Sequence, residues 1–117
     1  MKNKSVYIAT ALECIDLIKE YTSGFSLESF LADRKTQDAV IRNLEVIGQA
    51  LKDFGIEVLT DKVSHIPWSQ VAGMRNILAH EYLGVDMVMI WDTVQLHLDD
   101  LRQALETVHT ELERRPD

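Results

Sequence analysis

The chain has 117 residues, 46% of them apolar and 26% charged, and 12 basic against 19 acidic side chains leave a net charge of −7. That length predicts one domain, 1–117, able to bury a core without staples, and the composition is that of a globular rather than a disordered protein. The acidic balance excludes a general nucleic-acid coat, which rests on clustered Lys and Arg, so an RNA-directed site would need a local basic cleft against a repulsive overall field.

Cys14 is the one cysteine. It excludes an internal disulfide and a cysteine-based zinc site, and a free thiol fits a reducing compartment. Glu13 and Asp16 interrupt what would be the apolar core of a signal peptide, and no run is apolar enough to span a bilayer. A soluble cytoplasmic protein is expected. Two prolines and five glycines leave long stretches free of helix breakers.

Residues 5–22 read as an amphipathic helix, with Ile8, Ala11, Leu12, Ile15 and Ile18 on one face and Ser5 as its N-cap. Ser26 caps a short helix over 27–32, anchored by Phe25 and Phe30. Asp33 opens a long helix to about Phe54. There Val40, Leu44, Ile47, Leu51 and Phe54 step by four and three, and Ile41 and Ala50 widen the stripe. Gly48 lies inside that helix at a cost in helix stability, which marks close helix packing, and Gly55 ends it.

Residues 55–66 read as irregular or a short turn of helix, with His65 in a loop. Pro67 suits a first helical turn and Trp68 a core or interface anchor. The next helix runs from about 68 to 80, with Val71, Met74 and Leu78 inward. Leu83-Gly84 breaks the chain, and Val85 or Asp86 starts a last helix. Its seam Val94, Leu98, Leu101, Leu105, Val108, Leu112 is heptad-like, extended upstream by Met87, Ile90 and Trp91. His97 and His109 fall outside the seam and read as solvated, and the charged tail from Glu111 to Asp117 as frayed. The sum is an all-α, antiparallel bundle of four main helices plus a short one. It carries more apolar stripe than a lone small bundle needs, so a homodimer is expected.

The chemistry concentrates in Arg75 to Tyr82, an Arg-x4-His-x-Tyr pattern with Asn76 directly after the arginine. Arg is a permanent cation whose planar fork suits phosphate oxygens, and His exchanges a proton near neutral pH. On an ideal helix Arg75 and Tyr82 lie about 20° apart and Arg75 and His80 about 140° apart. Arg75 and His80 of one helix would therefore not converge on one phosphate, unless the helix ends near His80 or a second copy supplies the facing half. The same residue types also fit a helix end where His is favoured by the dipole and Tyr is a half-buried aromatic. On the long helix, Arg42, Asn43 and Glu45 are either a solvated face or an approach to this site or to the dimer seam. No Gly-rich phosphate loop, Cys/His metal spacing or Ser-His-Asp order is present.

Three ordered segments resemble the HepT-like ribonuclease toxins of the HEPN superfamily: residues 34–48, Ile66-Pro67-Trp68, and Gly73 through Asp86 around the Arg75–Tyr82 pattern. The resemblance implies a HEPN-like homodimer acting as a metal-independent endoribonuclease, with no cofactor. It implies that Arg75 and His80 form the active site, with Asn76 beside them, in a cleft composed from two protomers. It further implies a partner antitoxin, a minimal nucleotidyltransferase that transfers AMP to Tyr82. A non-catalytic nucleotide-binding or docking module for such a transferase is the alternative, favoured by the acidic charge. A structural helical dimer is a third.

Overall fold

Apolar periodicity turns into burial along α1 (Ser5–Thr22), where Ile8, Ala11, Cys14, Ile15 and Ile18 all lie in the core. A computed structural model describes residues 4–80 and 84–114, with residues 79 and 80 described by their backbone. Lys4 rather than Ser5 is the N-cap of α1, because Lys4 already has helical dihedrals and the chain makes no cap-like bend at Ser5. The buried Thr22 hydroxyl donates back to the Ile18 carbonyl at 2.8 Å, which satisfies it inside its own helix.

In α2 (Leu27–Leu31), Ser26 and Ser29 form a reciprocal capping box that holds this single turn in place. Phe30 is fully buried, its ring 5.3 Å from that of Trp91. Asp33 accepts the Thr36 backbone N–H at 3.1 Å and starts α3 (Arg34–Phe54), as its side chain predicts. All five residues of the predicted α3 seam are buried, as are Ile41 and Ala50. Gly55 stops α3 with φ of +121°, a conformation L side chains rarely adopt.

The chain then enters α4 (Ile56–Lys62), where the sequence suggested an irregular stretch or a short turn. Fully buried Leu59 and half-buried Ile56, one turn apart, fix this segment to the core. Seven residues are too few for a periodicity to declare itself. Pro67 opens the first turn of α5 (Trp68–His80), its carbonyl accepting from the N–H groups of Gln70 and Val71. Trp68 is a core anchor, 1% exposed, and its indole N–H donates to the Val63 carbonyl at 2.6 Å. Leu78 is buried, with Val71 and Met74 half-buried against the core.

The expected last helix is two helices, α6 (Met87–Leu96) and α7 (Leu98–Arg114). Asp86 caps α6, accepting from the N–H groups of Val88 and Met89. The bend falls at His97, yet the hydrogen-bond ladder almost runs through it, with His97 N–H to Thr93 and Leu101 N–H to the His97 carbonyl. The apolar seam therefore continues without a break in period, and periodicity could not reveal the bend. The two halves meet different partners: α6 packs on α2, and α7 packs on α1. The helix also continues through Glu111 to Arg114 rather than fraying there, with Lys62 paired to Glu111 and Leu112 half-buried; residues 115–117 lie outside the described residues.

The bundle is all-α as expected, with seven helices among the described residues: α1, α3, α5 and the bent α6–α7 are its main helices, and α2 and α4 are short. The strand-free packing is antiparallel where cross-links fix it. Lys4 Nζ at the start of α1 donates to the Phe54 carbonyl at the end of α3, 3.3 Å away. Asp16 and Lys19 near the end of α1 pair with Arg102 and Asp99 near the start of α7. α3 lies centrally, packed by α1 on one side and α5 on the other. Among the described residues no helix is long and apolar enough to cross a membrane.

Candidate active site

The site begins at the crossing of α3 and α5. Gly48 has no side chain, and a Cβ built there would stand 3.1 Å from the Ala72 carbonyl oxygen and 3.2 Å from the Arg75 Cβ. The helix-weakening glycine is thus explained by close packing, and the residue it admits is the arginine of the Arg-x4-His pattern. Arg75 is half-buried, and its guanidinium donates to the Asn76 amide oxygen at 3.0 Å. Asn76 itself is exposed, as is Ile77 beside it at 55%. The backbone of α5 is helical as far as His80. Tyr82 lies outside the described residues.

Arg75 lines one end of a groove of about 450 Å³ between α1 and α3. Tyr7 and Thr10 come from α1, while α3 supplies Arg42, Glu45, Gln49 and Asp53. Of the three polar residues singled out on α3, the fold brings Arg42 and Glu45 to the groove of Arg75. The amide of Asn43 instead donates to the Ala39 carbonyl at 2.9 Å, within its own helix. Tyr7, Gln49 and Asp53 escaped the sequence reading. Their one signal was spacing, since Arg42, Glu45, Gln49 and Asp53 repeat by three, four and four along a single face.

The groove is not the purely basic cleft expected. Arg42 joins Arg75 to make a local pair of cations, but Glu45 and Asp53 line the same walls. Asp53 is engaged by Gln49, whose amide donates to it at 2.9 Å. A second groove, of about 600 Å³ between α1 and α7, is lined by Glu13, Asp16, Glu20 and His109. Its three carboxylates oppose a phosphate, and neither Arg75 nor Asn76 lines it. His109 is half-buried there, 3.6 Å from Glu113, rather than solvated, whereas His65 and His97 are exposed. Cys14 is a core side chain whose thiol is pushed up by burial and then by Glu13, so it stays protonated and unsuited to nucleophilic work.

Sequence comparison gives the chain's relatives. A family model described as ribonuclease HepT-like matches residues 11–108. A probable ribonuclease HepT of Thermococcus cleftensis is 42% identical over 86% of this chain and 90% of its own length. A Methanocaldococcus jannaschii protein, whose name joins a gamma-glutamylcyclotransferase to an RNase assignment, is 37% identical over 97% of this chain. The chain spans half the length of that relative. The mRNA nuclease HepT of Shewanella oneidensis is 27% identical over 89% of this chain and 94% of its own length. No solved structure matches the chain. The chain belongs to the HepT-like ribonuclease family of the HEPN superfamily.

Proposed function

We propose that residues 1–117 act as one HEPN-like domain, a toxin of a toxin–antitoxin pair that cleaves RNA without a metal ion. The observation that carries this reading is the contact of Gly48 with Arg75, which holds the arginine of the family pattern half-buried at a groove it shares with Arg42. Two guanidinium groups there supply planar donors for phosphate oxygens within a chain whose net charge is −7. The relatives' names, a ribonuclease and an mRNA nuclease, support RNA as the substrate.

In this reading the RNA 2′-hydroxyl is the nucleophile. His80 takes its proton as the oxygen attacks phosphorus, the bond from phosphorus to the 5′-oxygen breaks, and that oxygen leaves with a proton from a second acid. The product ends are a 2′,3′-cyclic phosphate and a 5′-hydroxyl. Arg75 holds the phosphate and offsets the charge that grows on its oxygens, and Asn76 orients the guanidinium through its amide. A homodimer that sets two patterns face to face supplies the second acid as the partner's histidine. The exposure of Asn76 and Ile77 on α5 supports an interface there.

The antitoxin is a minimal nucleotidyltransferase that adds AMP to Tyr82. A phosphodiester-linked nucleotide beside the pattern brings bulk and negative charge to the phosphate position and blocks it. A second reading, a non-catalytic nucleotide-binding module, is favoured by one observation, the two carboxylates in the groove.

The test incubates the purified chain with an RNA pool in EDTA beside His80→Ala, with intact mass measured on both. Cleavage by the wild type alone, leaving cyclic phosphate ends, is the expected result. No cleavage by a chain of unmodified mass would favour the binding module, and added AMP mass would identify the neutralised form.

A further inference from the structure

Glu45 is the unexplained group in the groove. It is half-buried, it lines the walls with two arginines, and among the described residues it makes no ion pair or hydrogen bond. Several charged side chains elsewhere in the fold are engaged, Arg102 with Asp16 and Glu106, Lys19 with Asp99, Lys62 with Glu111, whereas Glu45 and Arg42 face the groove without such a partner among the described residues. Asp53, the other carboxylate of the groove, is held by Gln49. A lone carboxylate works against phosphate binding, and it does not act by holding Arg42 or Arg75, since it pairs with neither. Left unpaired in the groove, it is free to accept hydrogen bonds from a neutral group of a ligand.

We propose that the groove between α1 and α3 is a nucleobase subsite, and that Glu45 selects guanine. The inference rests on the ribonuclease reading for the position of the phosphate at Arg75. A carboxylate presents two acceptors side by side. Among the four bases, only guanine offers two adjacent donors, the ring N1–H and the 2-amino group, on one edge. Adenine and cytosine each set one donor beside an acceptor, and uracil flanks its single N–H with two carbonyls. Tyr7 supplies an aromatic wall on the opposite helix, the kind of surface on which an unpaired base stacks. The groove, about 450 Å³, is large enough for a nucleoside. The neutral base edge also explains how a −7 protein keeps a carboxylate next to its phosphate-binding arginines.

The experiment measures binding of nucleoside 3′,5′-bisphosphates of guanine, adenine, cytosine, uracil and hypoxanthine by calorimetry. The bisphosphate form presents a phosphate on whichever side Arg75 holds. The guanine compound is expected to bind about 5- to 100-fold more tightly than those of the other three RNA bases, the range of one bidentate base contact. Hypoxanthine, which lacks the 2-amino group, falls between. Glu45→Gln removes the guanine preference while melting as the wild type does, and Arg75→Ala weakens all five alike. Equal binding of the five, a guanine preference that survives Glu45→Gln, or no binding at millimolar concentration would overturn the subsite. Guanine selectivity in a chain of unmodified mass that cuts no RNA in EDTA would sink the ribonuclease reading alone. Cutting without selectivity would sink the subsite alone.

Discussion

Gly48 of α3 and Arg75 of α5 are in contact through the missing side chain of the glycine: a Cβ at 48 would lie 3.2 Å from the Cβ of Arg75. Alanine at this position gains up to about 1 kcal/mol of helix propensity. It also presses on the Ala72 carbonyl, which belongs to the backbone of α5 and yields only if the helix shifts by a few tenths of an ångström. The two effects nearly cancel, so Gly48→Ala is expected to melt within a few degrees of wild type yet lose RNA cleavage as Arg75 is displaced. Gly48→Val overpacks the crossing and costs roughly 1–3 kcal/mol. Thermal melts beside cleavage rates separate the two variants. An alanine variant with full activity would detach the glycine from the site.

The proposed dimer makes its own prediction. Ile77 follows Asn76 on α5 and is 55% exposed, an apolar side chain beside the pattern residues. Ile77→Asp brings an unpaired charge into an interface formed there and is expected to shift the chain to monomer, with loss of cleavage but no loss of helix content. Light scattering on size-exclusion peaks reads the mass. A dimer that persists unchanged in the variant would move the interface elsewhere.

Trp68 anchors the start of α5, and with it the register of Arg75 seven residues on. Trp68→Phe keeps most of the buried ring but orphans the Val63 carbonyl, an expected loss of about 1–3 kcal/mol. Trp68→Ala adds a cavity and raises the loss to roughly 3–5 kcal/mol. Urea denaturation followed by circular dichroism orders the two. A Trp68→Phe variant as stable as wild type would mean the hydrogen bond contributes nothing.

The link between α1 and α7 sets an acid dependence. The hydrogen bond from Arg102, with its charge, holds the Asp16 carboxyl below the usual carboxylate range. A depressed folded pKa contributes stability that is present above the unfolded value, about 3.9, and is lost as pH falls through the folded value. Both partners are partly exposed, so Asp16→Asn is expected to cost at most about 1 kcal/mol at neutral pH. The gap between variant and wild type should close as the pH is taken below 4. A gap of constant size across that range would mean that the charge on Asp16 is not its source.

The seam of α3, the caps at Ser26 and Asp33, the stop at Gly55, a helix start at Val85 or Asp86 and the anchoring role of Trp68 were legible in the chain. Each rests on neighbours within a few residues: a 3.6-residue period, a side-chain oxygen facing its own next turn, a backbone angle that suits only glycine. The Arg75–Tyr82 pattern and its family were legible for the same reason, since they occupy contiguous residues. The bend at His97 was hidden because the apolar period runs through it unchanged, while the two halves pack on different helices, α6 on α2 and α7 on α1. The groove was hidden more deeply. Tyr7, Glu45 and Arg75 are far apart along the chain, and their meeting depends on α1 and α5 flanking α3 at fixed heights. Periodicity fixes which face of a helix turns inward. Which polar residues on the remaining faces become neighbours is set by how the helices pack, and here the absent side chain of Gly48 brings α5 close enough for Arg75 to join Arg42 and Glu45.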